Sequence, residues 1–394
     1  MHNAFDATPS LKGYLYQIRY ALLMAIRDSR EVDDLDDYTI TIETIDDISR
    51  DNNGESEKLV QVKHHIKPGN ITDRSPDIWS TIRVWCKQIN SGKVAHQPIF
   101  VLLTTNSIAA KSLAEMLSDD FKIRDVESAK DEMLLIAQAG GNKENTEAYE
   151  AFVALSESER ERLVSAIYVV GDAPDMNLVG KDIKKSLRGF VSEKYMDAFT
   201  ERLEGDWFMK VIAALLKQGP NEIPLGEVVS GIESLKKEYD DDNLPDQYQF
   251  ENVDPFFDAE IKKHYITQLK LLEPTKRVIK NAVTNSVKAR KQRMEWSRKG
   301  LLNPGELNTY DEKLYDEWDF HAGLEEMKPG SKIDIGTGIY AECQTKGLKP
   351  IRAQFKADYV ARGSYHLLAN KNKIGWHPDY LELSPIDEGE GENE

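Results

Sequence analysis

Two short stretches of the chain carry side chains that could bind a metal ion and activate water. "IDDIS" contains Asp46 and Asp47, and "LVQVKHH" contains Gln61 and Lys63. Carboxylate and amide oxygens are ligands that Mg²⁺ accepts, and a bound metal lowers the pKa of a coordinated water. A lysine beside such a water can orient or deprotonate it and stabilise charge that builds on phosphorus. These residue types together indicate metal-dependent hydrolysis of a phosphate ester.

Pairing the two stretches as an antiparallel hairpin would bring these side chains together. If the hairpin closes near Gly54, Ile48 lies opposite Val60 and forms an apolar pair. The same register places Asp47 opposite Gln61. The hairpin then has one apolar face and one face that carries the polar side chains.

The register of this hairpin decides which aspartate joins the site. Lys63 shares a face with Gln61, because side chains alternate along a strand. Asp47 joins them when the apolar residues pair, whereas a slip of one residue would bring Asp46 there instead. We prefer Asp47 and retain Asp46 as the alternative.

The surrounding sequence predicts the elements that must position these residues. Residues 11–28 have the apolar spacing of a helix with Ser10 as N-cap, and residues 38–44 alternate as a β-strand does. Residues 75–90 begin with Ser-Pro, which is typical of a helix start, and residues 97–105 form the apolar run of a buried strand. With the hairpin between them, the predicted order is helix, three strands, helix and strand, an α/β unit with a mixed sheet.

The rest of the chain divides by composition. Helical patterns dominate from 107 to 250, where an acidic, proline-containing stretch at 239–255 indicates a boundary. Residues 261–299 contain twelve Lys or Arg and two Glu, and they predict a helix that begins near Pro274. Residues 301–384 are interpreted as a mixed α/β C-terminal domain. The last nine residues, "IDEGEGENE", are predicted to be a disordered acidic tail.

Composition excludes several classes of protein. A chain of 394 residues with 40% hydrophobic and 30% charged residues is typical of a soluble protein of two or three domains. Its net charge of −17 argues against nucleic-acid binding by the whole surface, although a local basic stripe can still bind phosphates. Cys86 and Cys343 are too few for a disulfide framework or a zinc ribbon. We find no signal peptide or membrane span and expect a cytoplasmic protein.

The combination of Asp47, Gln61 and Lys63 resembles the split motif of the PD-(D/E)xK nucleases, with Gln61 in the place of the second acid. "GYLYQ", "IETIDDI", "QVKH" and "LLTT" together resemble the nuclease domain of the CBASS- and Lamassu-type antiphage effectors. "ARGSYHLLANKNKIGWHPDYLEL" resembles the terminal modules of the ABC-three-component group, to which the Lamassu effectors belong. The resemblance covers residues 10–106 well and residues 305–384 less closely.

This resemblance implies a restriction-endonuclease-like N-terminal fold and a Mg²⁺- or Mn²⁺-dependent endonuclease that cuts double-stranded DNA. It implies the following roles: Asp47 as motif acid and metal ligand, Gln61 as second metal ligand, Lys63 as catalytic lysine, Glu43 and Asp46 as auxiliary acids with Asp46 as a further candidate ligand, and Gln17 as a contact to the site. A neutral ligand holds Mg²⁺ more weakly than a carboxylate does. This departure from the motif fits an enzyme that needs a second condition to act.

The resemblance also implies partners. The nuclease would be the effector of an antiphage or anti-plasmid complex, held inactive by an SMC- or ABC-type ATPase and a small accessory subunit and activated by release and self-association. The predicted segments are a nuclease domain at 1–110, a helical middle domain at 111–255, a basic helical segment at 256–300, a partner-binding domain at 301–385 and the acidic tail at 386–394.

Several alternatives stay open at the level of sequence. The chain could be a stand-alone restriction nuclease, or a catalytically inactive scaffold in a complex with an SMC-like ATPase. The basic residues of 261–299 could face DNA or a protein. His64 and His65 are expected to pack or to contact phosphate rather than to bind a metal.

Overall fold

A mixed six-stranded sheet forms the centre of the N-terminal part of the chain. The computed structural model describes residues 8–44, 46–65, 68–217 and 221–386. The strands are β1 (Tyr38–Ile42), β2 (Ile48–Asn52), β3 (Glu55–Lys63), β4 (Asn70–Ile71), β5 (Val94–Thr104), β6 (Ser107–Ile108), β7 (Ile167–Val170) and β8 (Glu222–Pro224). The six-stranded sheet has the order β7-β5-β3-β2-β1-β8, and β4 pairs with β6 separately. β5 is parallel to β3 and to β7, and the other neighbours in the large sheet are antiparallel.

Sixteen α-helices occur in the described residues. They are α1 (Thr8–Asp28), α2 (Pro76–Gln88), α3 (Leu113–Met116), α4 (Val126–Ala139), α5 (Thr146–Val153), α6 (Glu157–Ala166), α7 (Met176–Ser186), α8 (Met196–Leu216), α9 (Leu225–Glu238), α10 (Phe257–Glu260), α11 (His264–Lys270), α12 (Lys276–Arg298), α13 (Glu306–Glu326), α14 (Lys332–Thr345), α15 (Asp358–Asn370) and α16 (Tyr380–Leu383). The chain forms two compact units. The first unit is Met1–Phe190 with Phe199–Ser234, and the second is Val191–Ala198 with Leu235–Glu394.

The predicted order of helix, three strands, helix and strand is confirmed by α1, β1 to β3, α2 and β5. The α/β class with a mixed sheet flanked by helices is therefore confirmed for this part of the chain. The predicted N-cap at Ser10 is wrong, because α1 already begins at Thr8. The predicted first turn of α2 is correct, since Ser75 is its N-cap residue and Pro76 its first residue.

The central hairpin has the register that the apolar pair predicts from Ile48 to Arg50, and the register shifts by one residue between Arg50 and Asp51. Ile48 lies opposite Val60 in the antiparallel pair of β2 and β3. The connection is a two-residue turn in which Asn53 and Gly54 have φ angles of 48° and 85°, as Asn-Gly hairpin turns require. β2 therefore continues to Asn52, further than the turn-rich composition of the stretch suggests.

The two edges of the large sheet come from the region that the sequence predicts as helical. β7 follows directly after α6, and β8 directly precedes α9. Their apolar residues continue the helical patterns beside them, so periodicity alone does not separate them. The middle region is therefore mainly helical but also completes the sheet.

One face of the sheet packs against α2 and the helices that follow it. Leu59 of β3 and Phe100 and Leu102 of β5 belong to a buried cluster with Trp79 and Trp85 of α2. Trp85 stacks on Phe100, with ring centroids 5.1 Å apart. This packing fixes α2 against the two central parallel strands.

Residues 301–386 form helices and no β-strand, so the predicted α/β C-terminal domain is wrong. The glycine-rich stretch 332–345 has β-branched residues but forms α14, which a capping box of Ser331 and Asp334 begins. A Cβ at Gly336 of this helix would lie 2.6 Å from Leu272 Cδ2. Close helix packing therefore overrides the local preference of the stretch. Residues 387–394 of the predicted acidic tail lie outside the described residues.

Candidate active site

The backbone of β3 holds the predicted motif acid in place. Asp47 lies one residue before β2, and its Oδ2 accepts a hydrogen bond from the Val62 backbone N–H at 2.7 Å. Val62 lies between Gln61 and Lys63 in β3. The bond therefore fixes a half-buried carboxylate beside the two polar residues with which the sequence pairs it.

Asp46 lies in a different environment from its neighbour. Its side chain is buried, and its Oδ2 accepts a hydrogen bond from Trp85 Nε1 of α2 at 2.6 Å. Burial raises the pKa of Asp46 to about 7, an effect that the Trp85 bond and the Lys63 charge reduce and the Asp47 charge increases. Burial thus disfavours the charged form of Asp46.

Gln17 and Glu43 complete the group from α1 and from the end of β1. The Glu43 backbone N–H donates to the Asp47 carbonyl at 3.1 Å. Partial burial and the Asp47 charge raise the pKa of Glu43, and a hydrogen bond with Gln17 lowers it. Gln17 is buried, and its Oε1 has no hydrogen-bond partner among the described residues. An acceptor oxygen without a donor is suited to a cation or a water.

Gln61 and Lys63 face α2. They alternate with Val60 and Val62 along β3, so they share a face with Leu59, which packs in the cluster under α2. Gln61 is buried with 8% of its surface exposed, whereas Lys63 is partly exposed. The amide therefore lies inside the site and the ammonium at its opening.

The residues present fit a hard divalent cation. Asp47 and Gln61 supply carboxylate and amide oxygens, which Mg²⁺ prefers, and the unpaired Gln17 oxygen is a further acceptor in this region. Both oxygens of Asp46 already accept hydrogen bonds, from Trp85 Nε1 and from the Asp47 N–H. Across the described part of the chain, no cluster of three or more His, Cys, Asp or Glu side chains is arranged to hold a metal. A site here would therefore depend on an amide ligand as well as on its acids.

Sequence reasoning missed a second polar group beside these residues. The Nε2 of His65 lies 2.7 Å from Asp77 Oδ2, and Asn106 also donates to Asp77. His64 instead packs against Tyr16, with ring centroids 5.0 Å apart. A carboxylate in the first turn of α2 is an ordinary helix feature, so only the tertiary structure shows its histidine partner.

The fold and this site define an α/β protein with a candidate metal centre at the end of its central hairpin. Residues 265–384 match the family model of C-terminal domain 7 of the ABC-three component (ABC-3C) systems. This match supports membership of the chain in an ABC-three component system. No curated protein matches the chain significantly. None of the helices in the described residues is both long and apolar enough to cross a membrane.

Proposed function

We propose that the chain is a Mg²⁺-dependent endonuclease for double-stranded DNA and the effector subunit of an ABC-three component defence system. The observation that carries the proposal is the hydrogen bond from the Val62 N–H to Asp47 Oδ2 in the Ile48–Val60 register. It holds the Asp47 carboxylate against the strand that carries Gln61 and Lys63, which supports the arrangement that the PD-(D/E)xK resemblance implies.

Each residue has a role in this proposal. Asp47 and Gln61 hold the metal ion, with Asp46 as an auxiliary acid. When bound, the metal lowers the pKa of a coordinated water and offsets negative charge at phosphorus. Lys63, at the opening of the site, orients the attacking water and stabilises the charge that develops.

The C-terminal match supports the assignment to a complex. Domain 7 is a C-terminal domain of systems whose name includes an ABC component, so an ABC- or SMC-type ATPase and an accessory subunit are the proposed partners. The net charge of −17 disfavours tight DNA binding by the chain alone. We therefore propose that the partners hold the nuclease inactive and that release and self-association activate it.

A plasmid assay tests this proposal. The purified chain, at low and high concentration and with or without the ATPase and accessory subunits, is incubated with supercoiled DNA in Mg²⁺ or in EDTA. We expect nicking or linearisation of the plasmid in Mg²⁺ and none in EDTA. We expect Asp47→Asn to lose it, because a metal-binding charge is removed, and the exposed control Asp33→Asn to keep it.

An inactive scaffold is the second candidate. It is favoured by the neutral Gln61 in a ligand position and by Asp46, whose pKa of about 7 reduces its negative charge. Absence of cleavage under every condition, with the partner subunits present, would support the scaffold and contradict the nuclease.

A further inference from the structure

His65 follows β3 and is fixed through both its backbone and its ring. Its N–H donates to Thr105 Oγ1 at 2.8 Å, and the Thr105 hydroxyl donates to the His65 carbonyl at 3.3 Å. The ring Nε2 lies 2.7 Å from Asp77 Oδ2, although 38% of the side chain is exposed. A partly exposed histidine is thus held in one orientation.

Asp77 is itself fixed by a buried amide. Asn106 Nδ2 donates to the same Oδ2 at 3.2 Å, and Asn106 Oδ1 accepts a bond from the Gly69 N–H at 2.8 Å. Asn106 is buried. A carboxylate held against Nε2 sets the position of the ring and offsets its positive charge when both nitrogens carry protons. Nδ1 of His65 is then the nitrogen that can act on another group.

The ring lies on the same side of the chain as Lys63. The Thr105 N–H donates to the carbonyl of Lys63, the last residue of β3, at 3.2 Å. His65 contacts Asp77 of α2, and Lys63 shares the face of β3 that packs under α2. Both side chains therefore lie on the α2 side of the chain.

A cleft opens at this end of the sheet. It has a volume of about 470 Å³, and His64, His65 and Thr105 line it. The charged groups that also line it are Lys12, Asp172 and Asp175. His65 therefore lies in the wall of a cleft that a ligand can reach from solvent.

We propose that His65, positioned by Asp77, is the general acid that protonates the leaving oxygen. The inference rests on the proposed nuclease function. In an in-line displacement the attacking water and the leaving oxygen lie on opposite sides of phosphorus. In the proposed step Lys63 serves the water side of one phosphate and His65 serves the leaving side.

The water oxygen forms a bond to phosphorus and its proton passes to solvent on the Lys63 side. The bond from phosphorus to O3′ breaks, and its electron pair stays on O3′, which takes the proton from His65 Nδ1. The products are a 5′-phosphate and a 3′-hydroxyl, and the neutral His65 regains a proton from solvent.

A change of leaving atom tests the assignment. Duplexes are made with oxygen or a bridging sulfur at the 3′ position of one phosphodiester that the wild type is shown to cut. A thiolate leaves without a proton. His65→Ala and His65→Gln should therefore slow cleavage of the oxygen substrate about 100-fold, but leave that of the sulfur substrate near the wild-type rate.

Asp77→Asn keeps an acceptor for the ring but removes the charge, so it should give a smaller loss on the oxygen substrate alone. The exposed control His96→Ala should behave as wild type on both substrates. Equal losses of the two His65 variants on both substrates would show a structural role and overturn the inference. Unchanged cleavage of both would overturn it too while leaving the nuclease proposal intact. A wild type that cuts no DNA in Mg²⁺ with its partners would overturn both.

Discussion

Asp46 and Asp47 are neighbours in the chain, but their carboxylates lie in different surroundings. Asp47 is half-buried and bonded to the strand backbone, whereas Asp46 is buried against Trp85 with a pKa of about 7. Adjacent acids in different surroundings can take different roles. In the proposed site Asp47 is the metal ligand, and Asp46 is an auxiliary acid whose charged form burial disfavours by raising its pKa.

The burial of His366 predicts how the free energy of unfolding depends on pH. It is fully buried among the rings of Tyr265, Tyr340 and Trp376, and neither ring nitrogen has a hydrogen-bond partner in the described part of the chain. Burial lowers its pKa from 6.5 to about 3. Below about pH 6.5, His366 binds a proton in the unfolded chain but not in the folded chain. The free energy of unfolding therefore decreases as the pH falls below 6.5.

We expect His366→Phe to remove this decrease in the free energy of unfolding at low pH. Between about pH 7 and about pH 5 the free energy of unfolding should fall by about 2 kcal/mol less than in the wild type. Denaturant titrations at the two pH values measure it, and the exposed His96→Gln should retain the wild-type dependence. The same fall in His366→Phe and wild type would contradict the assignment.

At the scale of elements, the structure changes the interpretation of the basic segment. In the second half of α12, three basic side chains form ion pairs within the second unit. Arg290 pairs with Glu260, Lys291 with Glu251 and Arg293 with Asp311. Lys276, Arg277 and Lys280, in the first turns, are exposed. These three are the better candidates for contact with DNA or a partner.

This division predicts different effects of two arginine substitutions. Arg293 makes two hydrogen bonds to Asp311, at 2.7 and 2.8 Å, and one to Ser364. Arg293→Ala should lower the free energy of unfolding by about 2–3 kcal/mol, because it leaves a partly buried carboxylate without its partner. The exposed Arg277→Ala should change it by about 0.5 kcal/mol or less. Denaturant titration of both variants measures the difference, and similar small effects would contradict it.

The packing of α12 against α15 gives a further prediction. A Cβ at Gly363 would overlap the Asn285 carbonyl oxygen and the Ala289 methyl group, whereas one at Gly323 of α13 would meet nothing within 4 Å. Gly363→Ala should therefore destabilise the second unit by about 3 kcal/mol. Gly323→Ala should stabilise it by about 0.5–1 kcal/mol, because alanine favours a helix. Equal thermal midpoints for the two variants would contradict this packing.

The sequence predicts local pairing well and tertiary choices less well. The Ile48–Val60 register follows from apolar matching, which is short-range. The two-residue Asn-Gly turn alone would pair Ile48 with Leu59, and a shift between Arg50 and Asp51 restores the apolar pair. The bond between Trp85 and Asp46 joins residues far apart in the chain, so no local pattern indicates it. The helix at 332–345 likewise depends on close packing that its composition does not show.

For the whole molecule, charge predicts how DNA binding depends on assembly. The chain carries a net charge of −17, and much of its basic segment is engaged in internal contacts. The chain alone should therefore bind a duplex of about 30 base pairs weakly near physiological salt, and the partner subunits or self-association should tighten binding. Fluorescence anisotropy measures this, and tight binding by the isolated monomer would contradict it.

The central claim is that the residues around β2 and β3 form a metal-dependent site that cuts DNA. Cleavage of plasmid in Mg²⁺ by Lys63→Ala, beside the exposed control Lys93→Ala, tests it most directly. Both variants should fold and bind partners as the wild type does. We expect Lys63→Ala to lose at least about 100-fold in rate and Lys93→Ala to keep wild-type cleavage. Cleavage by Lys63→Ala at the wild-type rate would contradict it.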